Sequence, residues 1–168
     1  MKTYRSTSNR GRCAENAKPV CRRRGTTVVE MAVVLPVFFL FLFSLFEFAH
    51  VFMVQNMLKA ATNAAAREGI VEGASTSQVE QRVTEILTAA FNTGDVTVMV
   101  KNAGVFDDGS TDPTTIEYAS LPNIDLTQAE SRQLFIVRAE VDYEKVALFP
   151  PMWVESLRLS GQSVMRHE

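Results

Sequence analysis

The strongest constraint on this chain is a long apolar run near its amino end. Residues 31–46 contain no charged side chain, and extending the run to Val54 adds only Glu47 and His50 as titratable residues. A bilayer-crossing helix needs about 20 mostly apolar residues, which only the extended run supplies. A helix on the surface of a soluble protein would also show a polar face with a period of 3.6 residues, and this run has none. The run therefore predicts a transmembrane helix over residues 26–54.

Charge is distributed unevenly on the two sides of this run. Residues 1–25 carry eight Lys or Arg and one Glu, a net charge of +7, whereas the rest of the chain carries −9. Basic flanks stay on the cytoplasmic side of a membrane. We therefore predict a basic cytoplasmic leader over residues 1–25 and an extracytoplasmic domain over residues 55–168. The protein would be a single-pass protein of the cytoplasmic (inner) membrane.

The basic leader has a second possible role, because short basic tracts also bind nucleic acid. Next to a membrane span the topological role is strongly favoured. The partners that this part of the sequence predicts are therefore membrane lipids, and no nucleic acid is expected to bind.

A lone carboxylate stands at the start of the apolar run, in the sequence GTTVVE of residues 25–30. An acidic residue within lipid is costly and usually has a partner or a function. The arrangement resembles the processing site of the type IV prepilin superfamily, where a peptidase cuts after glycine and glutamate is fifth in the mature chain. The resemblance implies a cut between Gly25 and Thr26, with Glu30 as that glutamate. Alternatively, Thr27 and Glu30 form a helix capping box, which is compatible with processing.

The order of features along residues 22–73 carries a more specific resemblance. After the glycine and the glutamate come the apolar run with Pro36, the pair Glu47-Phe48, and the alanine-rich sequence AAREG of residues 65–69. This order resembles the TadE family, pseudopilin-like proteins of the tight-adherence (Flp) pilus machinery. Met31 departs from it, since the family commonly has phenylalanine after the glutamate. The resemblance implies a role in pilus assembly, with a prepilin peptidase and other pilus-assembly or pseudopilin subunits as partners.

Two further polar residues lie within the predicted membrane helix. Glu47 and His50 are three positions apart, so they share one helix face. They are expected to pair with each other near the outer membrane interface, or with neighbouring subunits in an assembly. Together with Glu30 they are the candidate intramembrane or assembly residues.

The remaining sequence predicts an α+β fold in which two helices cover a small antiparallel sheet of three to four strands. The long first helix would continue past the membrane, half in lipid and half exposed, and end at Gly69 or Gly73. An amphipathic second helix is predicted over residues 76–91, with Ser77 and Glu80 at capping-box spacing. Alternation of apolar and polar residues and the turn-forming sequences between them predict the strands: residues 96–100, 115–120, 133–143 and 157–166.

Two loops interrupt this pattern. Residues 102–114 are rich in Gly, Asp and Pro, and their acidic residues miss the calcium-loop spacing, so we expect a solvated acidic loop. Residues 148–153 (LFPPMW) are apolar and broken by proline. They can dip toward the membrane surface, where Trp is common, or cover the core. We expect them to cover the core.

The sequence contains no recognisable catalytic or metal-binding motif. His50 and His167 have no plausible nucleophile partner, and no phosphate-binding loop or G-x-S-x-G motif is present. Cys13 and Cys21 lie in the leader without zinc-site spacing and are expected to be reduced thiols. We therefore expect no catalytic residues, no metal site and no cofactor. Besides the pilus component, one other class stays open: a single-pass, membrane-anchored extracytoplasmic binding or sensory module in which Glu30 is only a helix cap.

Overall fold

The structure is a computed structural model that describes residues 24–91, 93–107, 109, 111–148, 150–154 and 156–168. Its regular elements within these residues are three α-helices and three β-strands: α1 (Arg24–Glu68), α2 (Thr76–Thr88), β1 (Val96–Asn102), β2 (Leu134–Asp142), α3 (Tyr143–Val146) and β3 (Arg158–Arg166). The predicted α+β class is confirmed. The chain divides into two compact units, Met1–Phe39 and Leu40–Glu168.

In the first unit the structure describes residues 24–39, all of which belong to α1. The large apolar side chains here are exposed, and a helix that is apolar on all sides is typical of a membrane span. Pro36 lies inside the helix without ending it, which membrane helices tolerate. Among the described residues, α1 is the single helix long and apolar enough to cross a membrane. It fits a single-pass membrane anchor.

The second unit contains a three-stranded antiparallel sheet in the order β1-β2-β3. The central strand is β2, in which Val137 lies opposite Val100 of β1 and Ser163 of β3. Side chains of a strand alternate between the two faces of its sheet. Over residues 137–142 of β2 the alternation separates a buried apolar face from a partly exposed polar face, as predicted from the sequence. Ile136, at the start of the second face, is buried in a smaller apolar cluster with Ala103 and Leu121.

Helices α1 and α2 cover the buried face of this sheet. One side of α1 contributes core residues at spacings of three and four: Val51, Val54, Leu58, Ala61 and Ala65. Helix α2 adds three residues spaced by four, as its predicted apolar stripe required: Val79, Val83 and Leu87. These side chains and the buried face of the sheet form one contiguous core.

Helix α1 lies very close to β3 at Gly161. A Cβ atom at this position would lie 2.4 Å from the backbone carbon of Leu58 and 2.5 Å from the backbone nitrogen of Lys59. Neither backbone atom can move away without shifting the helix. Glycine at this position therefore allows the helix backbone to rest directly on the strand, and it fixes the depth at which α1 packs.

Both ends of α2 differ from the prediction. The capping box is formed by Ser75 and Gln78, each of whose side chains accepts a hydrogen bond from the other residue's backbone N–H. The predicted box at Ser77 and Glu80 is wrong because Ser77 already lies inside the helix, whereas Ser75 has the extended backbone that an N-cap requires. The helix ends at Thr88, three residues before the predicted end.

The predicted edge strand over residues 115–120 is also wrong. Tyr118–Ser120 form a short 3₁₀ helix in which the N–H of Ser120 donates to the carbonyl of Glu117. Local bonds of this kind satisfy the backbone without a neighbouring strand. The centroid of the Tyr118 ring instead lies 4.2 Å from the guanidinium carbon of Arg138 on β2, which is a cation–π contact. The other three predicted strands are confirmed, with small shifts at their ends.

Candidate functional site

Glu47, within the apolar run of α1, binds the backbone of a loop that lies more than 100 residues later in the sequence. Its Oε1 atom accepts hydrogen bonds from the N–H groups of Met152, Trp153 and Val154, at nitrogen–oxygen distances of 3.2, 3.4 and 3.1 Å. Bonds from N–H groups to an ionised carboxylate are stronger than bonds between neutral groups. The carboxylate therefore holds this loop against α1.

His50 lies one turn after Glu47 and contacts Tyr143, the first residue of α3. The His50 Nδ1 atom is 3.3 Å from the Tyr143 hydroxyl, and the centroids of the two rings are 5.8 Å apart. Tyr143 is buried. Burial raises the pKa of Tyr143 above its ordinary value, and the negative charge of Glu47 raises it further. The phenol therefore keeps its proton. Tyr143 is thus a neutral hydrogen-bonding group beside the imidazole.

Glu47 and His50 therefore find partners in the same domain of their own chain. The sequence predicted that Glu47 and His50 pair with each other or with neighbouring subunits. In the structure Glu47 binds the 152–154 backbone and His50 shares a hydrogen bond with Tyr143. Both interactions join α1 to the segment that follows the central strand.

An apolar cleft of about 550 Å³ lies between this part of α1 and the loop. Its walls are mainly large apolar side chains: Phe43, Phe46, Met53, Leu148, Met152 and Trp153. The expectation that residues 148–153 cover the core is wrong for the large side chains described there. Leu148 is 75% exposed, Met152 60% and Trp153 46%. Glu47 thus binds the backbone of the loop, and the large apolar side chains of the loop remain exposed on the surface of the domain.

The predicted processing residues lie at the start of α1. Gly25 and Thr26 are in the first turn of the helix, which begins at Arg24 in the described part of the chain. Glu30 lies one turn farther on and is exposed. Thr27 is therefore inside the helix and not at its N-cap, so the capping box with Glu30 is wrong. Glu30 belongs to the first unit of the chain, whereas Glu47 and His50 belong to the second.

No group of three or more His, Cys, Asp or Glu side chains within the described residues is placed to hold a metal ion. Asp107 forms an ion pair with Arg166, at 2.7 Å. Asp112 accepts hydrogen bonds from the backbone N–H and the hydroxyl of Thr114, and these lower the pKa of Asp112. The other candidate ligands weighed in the sequence lie outside the described residues: Cys13, Cys21 and Asp108.

Sequence reasoning identified Glu47 and His50 but missed what they bind. The partner of Glu47 is a set of backbone N–H groups, which leaves no side-chain pattern to recognise. Tyr143 was predicted only as the last residue of the strand over residues 133–143, and its hydroxyl was not considered. One signal was available, because a carboxylate in an apolar run requires a partner.

The family model for TadE-like protein matches residues 25–67. The match begins at Gly25, covers nearly all of α1 and includes none of the sheet, and it confirms the resemblance drawn from the sequence. No curated protein and no solved structure matches the chain. The similarity to TadE-like protein is therefore confined to the apolar amino-terminal helix.

Proposed function

Starting from that match, we propose that the chain is a membrane-anchored, pseudopilin-like component of Tad (Flp) pilus assembly with a structural, non-catalytic role. The proposal rests mainly on two properties of helix α1. The helix combines the TadE-like match over residues 25–67 with large apolar side chains that are exposed along its amino-terminal part, and such a surface requires a lipid or protein environment. Its carboxyl-terminal part is built into the core of a folded domain, so the helix presents that domain at a membrane.

The proposal includes processing by a prepilin peptidase between Gly25 and Thr26. Two observations support it: the family match begins at Gly25, and Glu30 is exposed in the first unit. Cleavage would leave a free amine on Thr26 at the head of α1. In an assembly, that ammonium and the Glu30 carboxylate of a neighbouring copy relieve each other's cost of burial in lipid.

The proposed location is the cytoplasmic membrane, with the amino terminus inside and residues 55–168 outside. The charge distribution supports this orientation, since residues 1–25 carry +7 and the rest of the chain −9. In this orientation the sheet domain faces the compartment where a pilus is built. Its partners would be other pilus-assembly subunits in the same membrane.

The proposal is tested by deleting the chain from its own organism and scoring surface pili. We expect pili to be lost and to return when the full chain is supplied. The tagged chain should also co-purify with pilus-assembly proteins from detergent-solubilised membranes. The matched control is the same chain with residues 31–46 replaced by an unrelated apolar span, which should insert into the membrane without restoring pili. Normal piliation after deletion, with no co-purifying pilus protein, would instead favour an anchored binding or sensory module.

A further inference from the structure

The loop bound by Glu47 exposes an apolar patch that the proposed assembly role does not explain. Leu148, Met152 and Trp153 are 75%, 60% and 46% exposed. Residues 146–154 (VALFPPMWV) also contain no charged side chain. Large apolar side chains grouped in this way on a surface mark a site of interaction with another protein or with a membrane.

The patch continues directly into the apolar surface of α1. Across the 550 Å³ cleft from the loop lie Phe43, Phe46 and Met53, which are 53%, 68% and 53% exposed. Phe43 and Phe46 belong to the uncharged run of residues 31–46, and Met53 lies about two helical turns beyond its end. The loop therefore lies beside the end of the run that is proposed to be in the membrane.

The backbone of the loop is suited to an environment with little water. Pro150 and Pro151 have no N–H group, and the N–H groups of the next three residues all bind the Glu47 carboxylate. Residues 150–154 thus present no free backbone donor. An irregular loop is normally kept out of lipid by backbone groups that lack a hydrogen-bond partner. In residues 150–154 every backbone N–H group has a partner. The same three bonds offset the charge of Glu47.

From these observations we propose that loop residues 148 and 150–153 insert into the interfacial layer of the membrane that α1 crosses, as a second membrane contact. The occupant of the cleft is then phospholipid acyl chain. Trp153 suits this position, since tryptophan is enriched where a membrane meets water. The inference rests on the proposed membrane anchoring of α1, and it adds that the folded domain lies against the bilayer through this loop.

Trp153 is also the only tryptophan in the chain, so the native protein carries its own probe. The full chain is reconstituted into phosphatidylethanolamine–phosphatidylglycerol vesicles, with and without phosphatidylcholine brominated near the headgroup end of its acyl chains. We expect blue-shifted tryptophan emission, a large loss of emission in the brominated vesicles, and little quenching by acrylamide added to the water. Flotation of the vesicles shows in the same samples whether the protein is membrane-bound.

The matched control moves the tryptophan by combining Trp153→Phe with Val71→Trp. Val71 is 59% exposed and lies just beyond the other end of α1, about 30 Å along the helix from Glu47. Its emission should be quenched by acrylamide and unaffected by brominated lipid.

Three results would overturn the inference. If Trp153 behaves like the relocated tryptophan while the protein floats with the vesicles, the loop is in water and only the anchoring by α1 stands. If Trp153 is protected from both quenchers, protein rather than lipid covers the loop. If the chain fails to float with the vesicles, the proposed anchoring fails together with the inference.

Discussion

Glu47 and Val154 lie 107 residues apart in the sequence, and the carboxylate of one accepts a hydrogen bond from the backbone N–H of the other at 3.1 Å. Met152 and Trp153 donate to the same oxygen atom. A charged side chain in an otherwise apolar part of α1 thereby becomes the attachment point for a loop. The apolar surface that the loop presents depends on this interaction.

Removing the carboxylate should release the loop. In Glu47→Leu the three N–H groups lose their acceptor, and we expect a destabilisation of about 1–3 kcal/mol. Hydrogen exchange at residues 152–154 should become faster, because those amides are no longer protected. Glu47→Gln is the matched control, since it keeps an acceptor oxygen and loses the charge, and it should show a smaller change. Equal exchange rates in wild type and Glu47→Leu would show that the carboxylate does not hold the loop.

The close contact at Gly161 predicts a strong effect of a single methyl group. Gly161→Ala would place its Cβ 2.4 Å from the Leu58 backbone carbon, so α1 or β3 must shift. Overpacking of this kind typically destabilises a protein by about 1–3 kcal/mol. Ser160→Ala, one residue earlier on the opposite face of β3, should change stability by less than about 0.5 kcal/mol. Thermal unfolding in detergent compares the two, and equal midpoints would contradict the packing described for Gly161.

Much of this fold could be predicted because it follows from periodicity. The apolar run, the stripe of α2 and the alternation of β2 each predict one kind of element: a membrane helix, an amphipathic helix and a strand. All three elements are present in the structure. The errors occurred where two solutions were locally equivalent. Ser75 with Gln78 and Ser77 with Glu80 have the same capping spacing, and backbone geometry decides between them. Thr115 and Ser120 donate their backbone N–H groups to carbonyls three residues earlier, although the composition of residues 115–120 also suits a strand.

The candidate site was less predictable than the fold. The polar residues were visible in the sequence because Glu47 and His50 interrupt an apolar run. Their partners are a backbone segment and Tyr143, both about 100 residues away, and only the packing of α1 on the sheet brings them together. The exposure of residues 148 and 150–153 is a tertiary property too, since an apolar loop is equally compatible with a buried position.

The orientation of the chain can be tested with a reporter that is active only outside the cytoplasm. Fused after His167 it should be active, and fused near Asn9 it should be silent, because the +7 leader is held on the cytoplasmic side. Enzyme activity of both fusions, normalised to their amounts in the membrane, is the measurement. The reverse pattern would overturn the proposed topology.

The Glu30→Gln substitution tests association with pilus components separately from insertion into the membrane. Glutamine keeps the shape of the side chain and removes the charge that would pair with the Thr26 amine of a neighbouring copy. We expect insertion and cleavage to be unchanged and co-purification with pilus components to fall about tenfold, equivalent to about 1.4 kcal/mol. Glu72→Gln, at an exposed acidic residue beyond the end of α1, is the matched control. Undiminished co-purification of Glu30→Gln would remove this carboxylate from the assembly mechanism.

The mature amino terminus shows whether the chain is processed like a prepilin. Chain extracted from membranes of cells that contain the native peptidase is analysed by intact mass and by amino-terminal sequencing. We expect the chain to begin at Thr26, and we expect Gly25→Glu to keep residues 1–25 because a bulky charged side chain replaces the glycine before the cut. A wild-type chain that still carries residues 1–25, or a Gly25→Glu chain of the same length as a processed wild type, would contradict the proposed processing.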